Sequence, residues 1–142
     1  MGICGIYIKY LLRGNYVHAP ASAELKISPS ATLHNVKIYV SPGAKLEIGN
    51  DCRISNVLIC VEKGECIIHE KCIIGPSNKN QTTNIIINDG SMHVGHHTKL
   101  SLERIWIRFG GSLRIGNYTN INGGSEIRCD ESVKIGNYNQ IS

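Results

Sequence analysis

Aromatic side chains are scarce in this chain of 142 residues, and their scarcity limits the possible core and the possible ligands. The sequence contains one Trp and one Phe, whereas 42% of its residues are hydrophobic, so a folded core must be built mainly from aliphatic side chains. Proteins that bind single-stranded nucleic acids stack the bases on aromatic rings and attract the backbone with dense positive charge. A net charge of +4 from interspersed charges is too small for that purpose, and we expect no nucleic-acid partner.

Long hydrophobic runs are also lacking. Lys9 interrupts the apolar N-terminal sequence MGICGIYIKYLLRGNYV, which has no basic region before it, so neither a transmembrane span nor a signal peptide is predicted. We predict instead that residues 1–25 form an N-terminal cap segment, with a short helix that covers the first coil of the domain. The alternative is contact of this segment with a membrane surface through its large apolar side chains, which are Tyr7, Tyr10, Leu11 and Leu12.

What the sequence does have is a repeat of about 20 residues. The phrase LRIGNYTNI returns as VKIGNYNQI, and earlier copies read LEIGNDCRI and MHVGHHTKL. Each copy contains an aliphatic anchor residue, and successive anchors are 20 or 21 residues apart except for one longer step between the third and the fourth. The anchors are Ile27, Ile48, Ile68, Val94, Ile115 and Ile135.

The positions that follow each anchor repeat as well. Six residues after the anchor stands a second aliphatic residue: Leu33, Ile54, Ile74, Leu100, Ile121 and Ile141. Four residues after it the side chain is small in all copies but the last, which has Asn139: Ala31, Cys52, Cys72, Thr98 and Thr119. The residue directly after the anchor is Gly in four copies, which favours a corner with a positive φ or a close backbone approach. We expect the anchors and the small residues to point inward.

These repeats predict an all-β solenoid. β-Branched residues dominate them, Gly recurs within them, and no apolar face follows the period of a helix. Because a unit of about 20 residues cannot bury its own apolar edge, successive units must stack on one continuous core. We place this domain at residues 26–142, with an inserted loop near residues 75–84, where the polar run GPSNKNQTTN lengthens one repeat.

The cysteines fit this architecture better than a disulfide framework or a metal site. Cys52 and Cys72 hold the same small inward position in consecutive repeats. No two of the six cysteines have the C-x-x-C spacing of zinc sites or redox motifs. Reduced thiols are typical of the cytoplasm, so we predict a cytoplasmic protein.

The segments IGNDCRI, VGHHTKL, IGNYTNI and IGNYNQI resemble the hexapeptide-repeat signature of the left-handed parallel β-helix acyltransferases. The resemblance covers roughly residues 26–142, and residues 111–142 are similar to sugar and polysaccharide O-acetyltransferases. It implies a left-handed coil of about five to six turns and a homotrimer. It also implies acetyl-CoA as co-substrate, bound between subunits, and a sugar, nucleotide-sugar or polysaccharide acceptor in surface-polysaccharide biosynthesis.

In the resembled family a histidine removes the proton from the acceptor hydroxyl or amine, and such a base must lie within hydrogen-bond reach of it. The histidines here are His18, His34, His69, His93, His96 and His97. No column of them forms, because they stand at different distances from their anchors. We take His96 and His97, two and three residues after an anchor, as the candidate catalytic residues, at a corner of the coil that adjoins the inserted loop.

Metal and phosphate sites can also be recognised from the spacing of their residues. The γ-class carbonic anhydrases share this fold and bind zinc through three histidines, but the spacing His93-x-x-His96-His97 lacks the surrounding motifs of that class, so we expect no metal. No Walker or dinucleotide-binding motif is present, and the sequence assigns no cofactor-binding residue. The later repeats do carry basic residues that suit the phosphates of a cofactor: Arg104, Arg108, Arg114, Arg128 and Lys134.

The sequence stops seven residues after its last anchor, whereas related O-acetyltransferases continue with further coils. The resemblance therefore favours a C-terminally truncated acyltransferase whose catalytic segment is missing. A naturally short enzyme stays open as an interpretation, as does a non-catalytic structural or assembly module that ends against a partner. In the resembled family, loops that interrupt the coils often frame the active site, so the inserted loop is a second candidate region.

Overall fold

The computed structural model describes residues 14–141, which form a β-solenoid of about six turns. Within this range there is no helix, and hence none that could span a membrane. The strands are β1 Tyr16–His18, β2 Glu24–Ile27, β3 Thr32–Val40, β4 Lys45–Ile48, β5 Arg53–Val61, β6 Gly64–Ile68, β7 Ile73–Ile74, β8 Thr83–Ile87, β9 Gly90–Val94, β10 Lys99–Leu100, β11 Arg104–Ile107, β12 Gly111–Ile115, β13 Asn120–Ile121, β14 Glu126–Cys129, β15 Ser132–Ile135 and β16 Gln140–Ile141.

Every strand pairs in parallel with its counterpart in a neighbouring turn, and the strands form three faces. The first face is the sheet of β2, β4, β6, β9, β12 and β15. The second contains the short strands β7, β10, β13 and β16, and the third contains β1, β8, β11 and β14. β3 and β5 run across the second and third faces and bend at Asn35 and Asn56, both of which have a φ of 55°. The predicted β-solenoid is confirmed, while the left hand of the coil stays a prediction from the resemblance.

The core lies inside the coil and is almost entirely aliphatic. Residues alternate between the core and the outer surface along each strand, as in β9, where Met92 and Val94 are fully buried and His93 between them faces outward. The first five anchors are buried, and Ile135 in the last turn is partly buried. The small residues four positions after the anchors are buried as predicted, apart from Asn139, which is exposed.

These small residues also join one turn to the next through hydrogen bonds. The thiols of Cys52 and Cys72 donate to the carbonyl oxygens of His69 and Gly95, each over 3.0 Å. In the upper turns the hydroxyl groups of Thr98 and Thr119 make the equivalent bonds to the two glycines that follow the next anchors, over 2.7 and 2.8 Å. In all four cases the acceptor directly follows the anchor of the next turn, which explains why a small side chain with a hydrogen to donate recurs there.

The residue after the anchor must be Gly because neighbouring backbones approach each other closely there, and not because its φ is positive. A Cβ atom at Gly116 would lie 2.6 Å from the backbone of Gly136, and one at Gly49 would lie 2.8 Å from the amide nitrogen of Glu70. The positive φ of this corner occurs two residues later, at Asp51, Lys71, His97, Tyr118 and Tyr138.

Residues 1–13 lie outside the described range. They include the N-terminal part of the predicted cap segment and the four residues named for the alternative of membrane contact, Tyr7, Tyr10, Leu11 and Leu12. Within the predicted cap segment, β1 already pairs with β3 in the register of the solenoid, Tyr16 opposite Lys37. The inserted loop occupies residues 75–82, between β7 and β8, and contains no strand. It packs against a later corner, where a Cβ atom at Gly123 would lie 3.0 Å from Ser77 Oγ.

Candidate functional site

A groove of about 520 Å³ lies where β9, β12 and β15 turn into the following corners. Three histidines and two basic residues line it, together with the backbone of the glycines that follow the anchors. We call this feature the histidine groove, and its side chains include His69, His93, His96, Arg114 and Lys134.

The strand register of the first face brings part of this set together. His93 pairs with Arg114 in the next turn, and Arg114 pairs with Lys134 in the turn after that. Because paired residues of parallel strands are about 4.8 Å apart, the three side chains form one outward column. His93 therefore has two cations on one side of it along the coil.

On its other side His93 contacts a carboxylate. Its Nε2 atom lies 2.5 Å from Glu65 Oε2. Glu65 faces outward from β6, two residues away from the residue that pairs with His93, and such diagonal neighbours are within reach of long side chains. Both side chains are partly exposed, 28% for His93 and 39% for Glu65. A carboxylate in this position fixes the orientation of the imidazole ring, as it does for the catalytic histidine in many hydrolases and transferases.

The two histidines predicted as catalytic take different positions. His96 is partly buried and lines the histidine groove, whereas His97 is exposed and does not line it. Their Nδ1 atoms are 2.8 Å apart. The ring of His97 stacks on that of Tyr118 with the planes 15° apart, and Tyr118 stacks in turn on Tyr138. The proposed catalytic role of His96 and His97 stays a prediction.

The five basic residues considered for phosphate binding divide into two groups. Arg114 and Lys134 line the histidine groove, and neither is ion-paired with a carboxylate among the described residues. The other three surround the single Trp on the third face, with guanidinium carbons 4.5 to 5.2 Å from its ring. We call this second feature the Trp106 surface; its arginines are Arg104, Arg108 and Arg128.

The arginines of the Trp106 surface are held by carboxylates. Arg108 makes two hydrogen bonds to Asp130, of 3.0 and 3.1 Å, and Arg104 makes one to Glu126, of 2.7 Å. The hydrogen bonds from Arg108 lower the pKa of the Asp130 carboxyl. Trp106 is itself fixed, since its Nε1 donates to Asn88 over 2.6 Å. This surface therefore has less positive charge to offer a ligand than the number of its arginines suggests.

The inserted loop borders a different depression, of about 370 Å³, on the side of the coil that carries Arg104. The loop contributes Gln81 and Thr82, and Asn84, Glu103 and Glu126 complete the wall beside Arg104. None of the loop residues lines the histidine groove. Within residues 14–141, the loop and the candidate histidines thus belong to separate surfaces.

Two of the described cysteines, Cys66 and Cys72, have thiols that are less acidic than usual. Burial raises the pKa of the Cys66 thiol to about 12. A side-chain hydrogen bond with Cys52, together with burial, raises the pKa of the Cys72 thiol further. Because the thiolate is the nucleophile and both thiols are protonated at neutral pH, we expect neither to act as one. Among the described residues, no group of three or more His, Cys, Asp or Glu side chains is arranged to hold a metal ion.

The chain matches no family model, no curated protein and no solved structure. The resemblance to hexapeptide-repeat acyltransferases therefore rests on the repeat itself. The solenoid of about six turns is consistent with that repeat.

Sequence reasoning missed the pairing of His93 with Glu65. The histidines form no column with one another, and the partner of His93 is instead an acid in the neighbouring turn. The signal was present all the same: Glu65 stands three residues before its anchor and His93 one residue before the next anchor, and both of these positions face outward.

Proposed function

We propose that this protein is an acyltransferase that moves the acetyl group of acetyl-CoA to a hydroxyl or amino group of a sugar, with the histidine groove as its active site. In keeping with the resemblance, the acceptor is a sugar, a nucleotide-sugar or a polysaccharide in surface-polysaccharide assembly, and the enzyme is a cytoplasmic homotrimer. The observation that carries the proposal is the imidazole of His93, which is oriented by Glu65 beside the basic side chains of Arg114 and Lys134.

In this reaction the acceptor oxygen or nitrogen attacks the thioester carbonyl carbon. His93 takes the proton from the acceptor as the new C–O or C–N bond forms. The C–S bond then breaks, and the imidazolium gives its proton to the sulfur, so that CoA leaves as the thiol and His93 is neutral again. A histidine suits this role because it changes its protonation state near neutral pH, and a carboxylate partner stabilises the imidazolium that forms. No covalent intermediate on the protein is needed.

The unpaired cations support the same proposal. Arg114 and Lys134 project into the groove next to His93, where the phosphates of CoA would meet charge that is not already used by a carboxylate. The groove is open rather than enclosed, which suits a long co-substrate that lies along a surface. His96, at the same groove, is the second candidate for the base and, with His97, is one of the two that the sequence predicts.

The first experiment is a calorimetric titration of acetyl-CoA into the purified chain, with the oligomeric mass and the circular dichroism of the sample measured beforehand. Saturable binding of one acetyl-CoA per subunit is the expected result. No binding by a folded homotrimer would overturn the proposal and favour the alternative, a non-catalytic solenoid that serves as a structural or assembly module. Binding would then justify a search for the acceptor by following release of the CoA thiol in the presence of individual sugars.

A further inference from the structure

The corner that follows β9 places two imidazole rings so that their Nδ1 atoms converge. His96 Nδ1 and His97 Nδ1 are 2.8 Å apart, and the ring planes are 82° to each other. Two nitrogen atoms at this distance need a hydrogen or a metal ion between them, because otherwise their lone pairs repel each other. A hydrogen on one of the two nitrogens satisfies the pair as an N–H···N hydrogen bond, and a metal ion bound by both nitrogens would take its place.

The distance favours one class of metal ion. Two nitrogens bound at right angles to a metal about 2.0 Å away are about 2.8 Å apart, whereas two tetrahedral ligands at the same bond length are about 3.3 Å apart. The separation of 2.8 Å thus fits adjacent positions of a tetragonal site. Cu(II) and Ni(II) prefer that geometry, and Cu(II) binds nitrogen ligands most strongly among the common divalent ions.

The surrounding contacts hold both rings in this arrangement. The amide of His97 donates to the carbonyl of Glu70 over 3.1 Å, and the amide of His96 donates to Asn117 Oδ1 over 3.0 Å. Tyr118 stacks on His97 with ring centroids 4.7 Å apart and meets His96 edge-on at 5.3 Å. The φ of 57° at His97 fixes the direction in which its side chain leaves the corner. Rings positioned before binding lose less conformational entropy when a metal arrives.

We propose that His96 and His97 form a surface site for a divalent transition-metal ion of tetragonal preference, Cu(II) foremost, with two imidazole nitrogens as protein ligands and water in the remaining positions. The described residues supply no third ligand from a His, Cys, Asp or Glu side chain, so the site differs from a three-histidine zinc centre. His93, the third histidine of the short segment, is engaged with Glu65 and stays outside the site. The inference does not depend on the acyltransferase proposal.

The test is titration with Cu(II) of the full chain, with its accessible thiols alkylated beforehand so that they cannot reduce the metal. We expect one Cu(II) per chain with the electron paramagnetic resonance spectrum of a tetragonal ion and hyperfine splitting from two imidazole nitrogens. Affinity should fall in the order Cu(II), Ni(II), Zn(II). Binding of Zn(II) in preference to Ni(II), or a spectrum without nitrogen splitting, would contradict the proposal.

Two variants and two controls assign the ligands. His97→Asn keeps a residue that tolerates positive φ, and His96→Asn is its counterpart on the other ligand. Each should weaken Cu(II) binding by at least about tenfold, since even the loss of an outer-shell partner of a metal costs that much. His69→Asn and His93→Gln, at the neighbouring groove, should leave Cu(II) affinity and the spectrum unchanged. Unaltered binding in His96→Asn and His97→Asn, with circular dichroism showing intact folds, would overturn the assignment, and so would loss of binding in the controls.

Discussion

The histidine groove and the Trp106 surface lie on different faces of one coil, and both display basic side chains. On the Trp106 surface each arginine has a carboxylate within 4.0 Å: Arg104 pairs with Glu126, and Arg108 and Arg128 pair with Asp130. In the histidine groove the carboxylate of Glu65 is instead engaged with a histidine, and the cations Arg114 and Lys134 have no such partner among the described residues. The number of basic residues does not distinguish the two surfaces. They differ in whether a carboxylate is paired with the basic side chains.

The difference follows from the register of the parallel strands. Paired strands place residues at equal distance from their anchors side by side, so the sequence of an outward column decides which charges meet. In the column of Arg104 the next turn supplies Glu126, whereas in the column of Arg114 it supplies Lys134. Opposite charges stabilise one surface, and like charges leave the other ready for an anionic ligand.

The largest expected effect that separates the two surfaces is on catalysis. His93→Gln removes the proposed base while keeping a polar side chain, and should slow acetyl transfer about a hundredfold or more, as the loss of a general base does. Arg108→Gln, the matched change on the Trp106 surface, should leave the rate unchanged. Release of CoA thiol at saturating acetyl-CoA measures both. A rate that survives His93→Gln but falls in His96→Gln would transfer the role to His96, one of the two bases that the sequence predicts.

The next largest effect is on stability, through two buried threonines whose hydroxyl groups bond to the next turn near each surface. Thr98 donates to the carbonyl of Gly116 at the wall of the histidine groove, and Thr83 donates to the carbonyl of Leu102 on the other side of the coil, each over 2.7 Å. Replacing either with Val leaves a buried carbonyl without its side-chain donor and should cost about 1–3 kcal/mol of unfolding free energy. Urea denaturation of the two variants gives these values.

Only one of the two threonine variants should have a lower affinity for acetyl-CoA. Thr98→Val removes the bond that joins the corner of Gly95 and His96 to Gly116 in the next turn. Acetyl-CoA should therefore bind to this variant more weakly than to the unaltered chain. Thr83→Val should be destabilised to a similar degree and bind normally. Equal loss of affinity in both variants would mean that general destabilisation, rather than the shape of the groove, controls binding.

A smaller effect is expected from the cations themselves. Arg114→Ala and Lys134→Ala should each raise the Kd of acetyl-CoA about threefold, because an ion pair at an exposed site contributes about 0.2–1 kcal/mol. Arg104→Ala and Arg128→Ala are the controls, and calorimetry should find their Kd unchanged. If the two pairs of variants gave the same result, the proposed difference in free charge between the surfaces would be wrong.

The solenoid was predictable from the sequence because each anchor repeats its own environment. Ile48, Ile68 and Val94 are each followed by a small residue four positions later and an aliphatic residue six positions later, and each is buried in its turn. The small residue four positions later was predictable as buried, but its hydrogen bond to the next turn was not. That bond depends on the spacing between successive turns, which the sequence of a single repeat does not specify.

The candidate site was predictable only in part. His96 could be assigned to a corner from its distance to Val94, and it does line the groove. The pairing of His93 with Glu65 needs two outward columns to be compared across neighbouring turns, and the longer step between their anchors obscured that comparison. The direction of an exposed imidazole at a positive φ, as at His97, depends on the ring of Tyr118 in the next turn.

The last prediction concerns the pH dependence of the Trp106 surface. Asp130→Asn removes the carboxylate that holds Arg108 by two hydrogen bonds, and should lower the unfolding free energy slightly at neutral pH. Because Arg108 lowers the pKa of this carboxyl in the folded state, the charged form stabilises the fold above the unfolded-state pKa of about 4 and loses that effect as the pH falls through the lower folded-state pKa. Thermal unfolding of the two chains should therefore differ at pH 7 and converge once the pH has fallen below the lowered folded-state pKa of Asp130. Glu65→Gln in the histidine groove is the comparison, since the partner of that carboxylate is an imidazole and not a permanently charged guanidinium. A difference at Asp130 that grew on acidification would show that Arg108 does not stabilise the charged carboxylate.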